Sequence, residues 1–143
     1  MHTSCLPAEL AAELVIVAYE DPVIERLGFG PDDPYIEQCW VAIVGPSASW
    51  MWRRLARVAI ETGTVPAVVD TTDLLLSIGL SEGLRKNSLG ARTVARLVVF
   101  DLAKRGGRDG GVLAVRRALP RLCERQARHL PLSVRTYHDS HNQ

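Results

Sequence analysis

Apolar residues fall at helical spacing along most of the chain. Leu10, Leu14, Val17 and Ala18 share one face and Glu9 and Glu13 another, which predicts an amphipathic helix from Pro7 to Tyr19. Asp21-Pro22 offers a cap followed by a proline at the first helical position and predicts a short helix over Pro22–Leu27. Asp33-Pro34 repeats the signal and opens a helix that runs through Val44 to the stop at Gly45-Pro46. Ser47 or Ser49 then caps a helix over roughly Ala48–Thr62, ended by Gly63. Trp40, Trp50 and Trp52, with Tyr35, Leu55, Ala59 and Ile60, are expected to hold the N-terminal region against the rest.

From there the pattern shortens. Val65–Val69 is β-branched and contains Pro66, which suits an edge strand. Thr71 or Thr72 caps a brief helix carrying Leu74, Leu75 and Ile78, and Gly79 turns the chain. A helix over Ala91–Lys104 places Val94, Ala95 and Val98 inward and projects Arg92 and Arg96 elsewhere. A loop rich in glycine and arginine, Arg105 to Gly111, leads to a strand over Val112–Ala118. The tail from Pro120 predicts one or two short helices broken at Pro131.

Composition is that of an ordinary globular domain of 143 residues: 47% hydrophobic and 23% charged, enough for one core. The cysteines Cys5, Cys39 and Cys123 form no CxxC pair, no signal peptide is visible and no apolar run is long enough to span a bilayer. Cytoplasm and no membrane are therefore the expectation. Charge changes the picture more. Residues 1–40 hold eight acids against Arg26, whereas residues 84–143 hold thirteen Arg or Lys against four acids. A formal net charge of +1 thus conceals a polarised chain and suggests a polyanionic partner for the basic end.

Two groups of residues carry a resemblance. Leu74 to Ser81 followed by Arg92-Thr-Val-Ala-Arg-Leu97 looks like the helix-turn-helix of bacterial winged-helix regulators, over about residues 50–118. Tyr35-Ile-Glu-Gln-Cys-Trp40, Gly45-Pro-Ser47, Arg53-Arg-Leu55, Asn87-Ser88, Arg92-Thr93 and Leu113 to Pro120 resemble a family of small uncharacterised proteins of GC-rich Gram-positive bacteria. The resemblance implies a mainly α fold. A winged helix-turn-helix core (47–119) would carry a small hairpin wing, an acidic helical extension (1–46) and a basic helical tail (120–143). The ten residues between Ser81 and Arg92 are more than the compact motif uses.

The function expected on that reading is DNA binding by a small transcriptional regulator, with double-stranded DNA as partner, no cofactor and no enzymatic role. Arg92, Thr93 and Arg96 would address the major groove and Lys86, Asn87 and Ser88 its edge. Lys104, Arg105 and Arg108 would reach the backbone or minor groove from the wing. Each has a plainer reading: Asn87-Ser88 as a helix cap, Arg92 and Arg96 as a solvated face, the wing as a charged surface turn. The alternative function is a protein-interaction module whose basic face binds an acidic protein, with a homodimer through the N-terminal helices as a further possibility. Arg121, Arg125 and Arg128 form a stripe expected to pair with the acids of the same chain or of a second copy. His129, His138, His141 and Cys123 match no closed zinc spacing, and no catalytic motif is present.

Overall fold

A computed structural model describes residues 8–141. Cys5 and Pro7 lie outside the described residues. The first strand, β1 (Glu13–Tyr19), stands where an amphipathic helix is predicted. Leu14 and Ile16 are fully buried while Glu13 is exposed and Val15 and Val17 half-buried. The operative period is therefore two, and the β-branched run Val15-Ile16-Val17 favours extended backbone.

The other elements are α1 (Pro22–Leu27), a π-helical turn (Ile36–Trp40) running into α2 (Val41–Val44), α3 (Pro46–Thr62), β2 (Ala67–Asp70), α4 (Thr71–Ser77), α5 (Leu89–Val99), β3 (Ala103–Gly106), β4 (Val112–Arg116), α6 (Glu124–Ala127) and α7 (Leu132–Asp139). Their order from α3 to the β3–β4 hairpin follows the sequence reading. The fold class does not. The strands form one four-stranded mixed sheet in the order β2-β1-β4-β3. β1 pairs parallel with β4, Ile16 opposite Leu113, and antiparallel with β2, Leu14 opposite Val69. The architecture is mixed α/β, not a mainly α winged helix-turn-helix core with a small hairpin wing. The N-terminal region supplies a central strand instead of a helical extension.

Two further expectations change with it. Helix α5 stops at Val99, where Asp101 takes a positive φ of 63°, so Lys104 lies on β3 and not on a helix. Trp40 is 3% exposed and its indole N–H donates to the Pro120 carbonyl at 2.9 Å, so it is a core residue of its own chain and not a dimer contact. Trp52, fully buried, donates likewise to the Arg116 carbonyl at 2.9 Å.

Helices α3 and α5 pack against each other and cover one face of the sheet: α3 lies on β1 and β4, and α5 on β3. Leu14, Ile16, Leu113, Val115 and Ala103 point into that layer and meet Leu55, Ala59, Val94 and Leu97 in a single core. A second packing region joins the π-helical turn to α7. There Tyr35 is stacked on Phe29, ring centroids 4.0 Å apart, and Tyr35 lies against His138. No helix of the described residues is long and apolar enough to cross a membrane.

Candidate nucleic-acid interface

Several acids of the N-terminal third are paired inside the molecule. Arg116, at the end of β4, reaches Asp21 at 2.9 Å and Asp101 at 2.8 Å, and its guanidinium lies 4.1 Å from the Tyr19 ring centroid. The parallel register that sets Tyr19 opposite Arg116 brings these groups together. Hydrogen bonding to Arg116 holds the Asp21 carboxyl below the usual carboxylate range, helped by the Ile24 N–H it accepts as the N-cap of α1. Arg117 grips Glu25 with both Nε and a terminal nitrogen, at 2.9 and 3.0 Å. Arg53 pairs with Glu37 and Arg57 with Asp32. In the tail Arg135 pairs with Glu124 and Asp139, and Arg121 donates to the His138 and His141 carbonyls. Among the described residues, Arg116 and Arg117 alone of the bases at residues 84–143 form ion pairs with acids of the N-terminal region, so the charge asymmetry of the sequence is only partly cancelled within the fold. Arg121 leaves the expected stripe to tie down the C-terminal end.

The nine residues expected to meet DNA separate into groups. Ser88 is the N-cap of α5, its hydroxyl accepting the Ala91 N–H at 3.1 Å, and Asn87 holds a left-handed turn with φ 65°. Thr93 is buried and its hydroxyl donates to the Leu89 carbonyl at 2.7 Å. Arg105 folds back across its own hairpin, donating to the carbonyls of Gly110 and Glu9, both at 2.9 Å. Lys104 lies on the sheet face turned away from α3 and α5, its Nζ 4.4 Å from the Tyr19 ring centroid. Lys86 and the hairpin tip beside Arg108 border a hollow formed with residues 8–11.

Arg92 and Arg96 remain, and the fold gives them a setting. Both are exposed on α5, one turn apart, on a stripe that also carries Leu89 and Val99. They line a cleft of about 310 Å³ whose opposite wall is Val44 to Ala48, the start of α3. Arg96 is anchored there: its Nε donates to the Val44 carbonyl at 2.6 Å, and its guanidinium carbon lies 5.6 Å from the Phe100 ring centroid. The Arg92 side chain has no hydrogen-bond or ion-pair partner among the described residues.

The start of α3 is well suited to face a negative charge. Gly45 caps it with φ 91°, a left-handed conformation that favours glycine, and offers no side chain to the first turn. Pro46 carries no N–H, but the amides of Ser47 and Ala48 have no intrahelical acceptor, and the Ser47 hydroxyl sits beside them. A helix of seventeen residues adds its dipole at this end. Gly45-Pro46-Ser47 and Arg92-Thr93, far apart in sequence and each singled out there, are walls of the same cleft. Only part of this was legible. The arginines were, but the uncapped helix start facing them depends on how α3 packs on α5.

The tail contains a different cluster. The Tyr35 hydroxyl accepts the Leu122 N–H at 3.0 Å and lies 2.8 Å from His138 Nδ1. Burial pushes the Tyr35 pKa up to about 12 and raises the Cys39 thiol beside it. Burial, with Arg121 nearby, lowers the His138 pKa. A neutral phenol and a neutral imidazole therefore share one hydrogen bond that docks α7. Among the described residues no three His, Cys, Asp or Glu side chains are placed to hold a metal ion.

Comparison with known proteins yields nothing to set beside these features: no protein-family profile, curated protein or solved structure matches the chain.

Proposed function

We infer that this protein binds DNA and does so through the phosphate backbone, held in the cleft between the start of α3 and the exposed side of α5. The observation that carries the reading is the convergence of Arg92 and Arg96 on the uncapped first turn of a long helix. Guanidinium groups and free helix-start amides are the donors that phosphate oxygens accept best, and the helix dipole adds to both. Arg92 is uncommitted, and Arg96 is oriented by Val44 with its terminal nitrogens left for a ligand.

The mode of contact differs from the one expected of the sequence. The amino-terminal end of α5 is packed, because Gly90 lies against Leu75 and Leu10, and Thr93 faces inward. Phosphate contact along the side of α5 asks for no base reading at its tip. The reading is therefore of backbone affinity with little sequence preference, as in a small regulator or accessory protein that gains its specificity elsewhere.

Fluorescence anisotropy with a labelled 20-base-pair duplex tests it. Arg92→Ala should weaken binding severalfold and Arg92→Glu at least tenfold, both with unchanged far-UV circular dichroism, since Arg92 supports nothing in the fold. Similar affinities are expected for unrelated duplex sequences. Absence of duplex binding by the wild type, or full affinity in Arg92→Glu, would overturn the proposal.

A further inference from the structure

The sheet is covered on one face only. Alternation along β1 and β4 sends Leu14, Ile16, Leu113 and Val115 to the helices. Their neighbours Val15, Val17, Val112 and Ala114 go to the other side, where Val68 of β2 and Lys104 of β3 join them. Every substantial helix-to-strand packing among the described residues involves α3, α4 or α5.

The composition of this second face is the anomaly. A sheet with one solvated face ordinarily alternates apolar inward with polar outward, and central parallel strands are ordinarily buried on both sides. Here the central pair β1/β4 is parallel and reads as two near-continuous apolar runs, Leu14 to Tyr19 and Val112 to Val115. The central strands have the composition of double-sided burial, yet Val15, Val17, Val112 and Ala114 are only half-buried and Val68 of the edge strand beside them is 63% exposed. An apolar patch of short β-branched side chains at regular spacing is a flat docking surface.

Its charges say what fits it. Glu13 and Asp70 stand opposite each other at the end where β1 begins. Lys104 and Arg116 converge on Tyr19 at the other end. Arg116 is paired with Asp21 and Asp101, whereas Lys104 and Glu13 have no ion-pair partner among the described residues. Rotation by a half turn about an axis lying between two such sheets and across their strands reverses the strand direction. It sets Glu13 of one copy over the Tyr19–Lys104 end of the other, twice, with valines between. Each Glu13 thus meets the unpaired Lys104 of the other copy, at an end where Arg116 is already matched by Asp21 and Asp101.

We propose that the open face of the sheet, centred on Val15, Val17, Val68, Val112 and Ala114, is the interface of a homodimer in which two copies stack sheet on sheet, with Glu13 of each facing Lys104 of the other. Sheets packed in this way keep their strands within about 30° of alignment. Four strands at about 4.8 Å and five residues at about 3.3 Å span roughly 19 by 17 Å, which with side-chain relief buries on the order of 1,000 Å² in total. That is the lower range for a specific interface. The Arg92–Arg96 cleft lies in the helical layer, away from this face, so dimerisation and DNA binding are separately testable.

Sedimentation equilibrium of the full chain from about 1 to 200 μM, without DNA, is the test. The wild type should shift from the chain mass to twice that mass across this range. Val17→Lys should remain at the chain mass with unchanged circular dichroism. Glu13 and Lys104 are exposed, so their substitution leaves folding intact: Glu13→Lys should weaken association at least tenfold, and adding Lys104→Glu should restore it. A wild type that stays monomeric throughout overturns the proposal, as does association indifferent to Glu13→Lys or not rescued by the double exchange.

Discussion

The Tyr35 hydroxyl and His138 Nδ1 lie 2.8 Å apart in a buried pocket, and the contact joins α7 to the residue that caps the π-helical turn. Tyr35 accepts the Leu122 N–H, and donation of its own proton to Nδ1 completes its hydrogen bonding. That arrangement takes a neutral imidazole with its proton on Nε2, the form that burial favours. Burial and then Arg121 depress its pKa, and Arg135 acts in the same direction, against Asp139 and Glu124.

A pH dependence of stability follows. The unfolded chain binds a proton at His138 near the ordinary histidine value of about 6.5, while the folded chain resists it. The unfolded state thus holds more protons just below that value. Stability from this site is complete above about pH 6.5 and falls as the pH drops towards the lowered folded value. The thermal midpoint should decline between pH 7 and 5, and His138→Gln should flatten that decline relative to wild type. An identical pH profile in the variant would show that His138 does not report on folding.

Central placement of β1 predicts an exchange pattern. Strands β2 and β4 flank it on both edges, so its amides should rank among the slowest in hydrogen–deuterium exchange, slower than those of the edge strand β2. Ile16→Ala, which opens a cavity between the sheet and α3, should cost about 2–5 kcal/mol in denaturant unfolding. Rapid exchange over residues 13–19 would contradict the sheet order.

Gly28 marks a close approach that no other residue permits. A Cβ there would lie 2.5 Å from the Leu119 carbonyl oxygen and 2.6 Å from that of Ile24. Backbone would have to move on both sides, and with it the Phe29–Leu119 bridge. Gly28→Ala should therefore destabilise by about 1–3 kcal/mol, and more than Gly30→Ala, where a Cβ meets nothing within 4 Å. Equal chemical denaturation midpoints for the two variants would refute the packing at this bridge.

What could be read in advance was local. Asp21-Pro22 caps α1 and Ser88 caps α5, and both are visible because a cap needs only the residues beside it. The segment before Tyr19 misleads, since Leu10, Leu14, Val17 and Ala18 fit a period of 3.6 while Leu14 and Ile16 fit a period of two. The choice is made by β4, whose Val112 pairs with Val15 from the far end of the chain. The charge polarity was likewise visible but not its use. Arg116 meets Asp21, and Arg117 meets Glu25, only because β1 and β4 run side by side. For the cleft, Arg92 and Arg96 were identifiable by spacing, whereas their position against Gly45-Pro46-Ser47 is a product of the α3–α5 contact.

Salt dependence of DNA affinity tests the functional account most directly. Each neutralised phosphate contributes about −0.9 to the slope of log affinity against log salt. Arg92 and Arg96 together should give the wild type a slope of about −2. Arg92→Ala should reduce its magnitude by about one and lower affinity to a similar extent on unrelated duplexes. A wild-type slope near zero, or one unchanged by Arg92→Ala, would contradict backbone binding in this cleft.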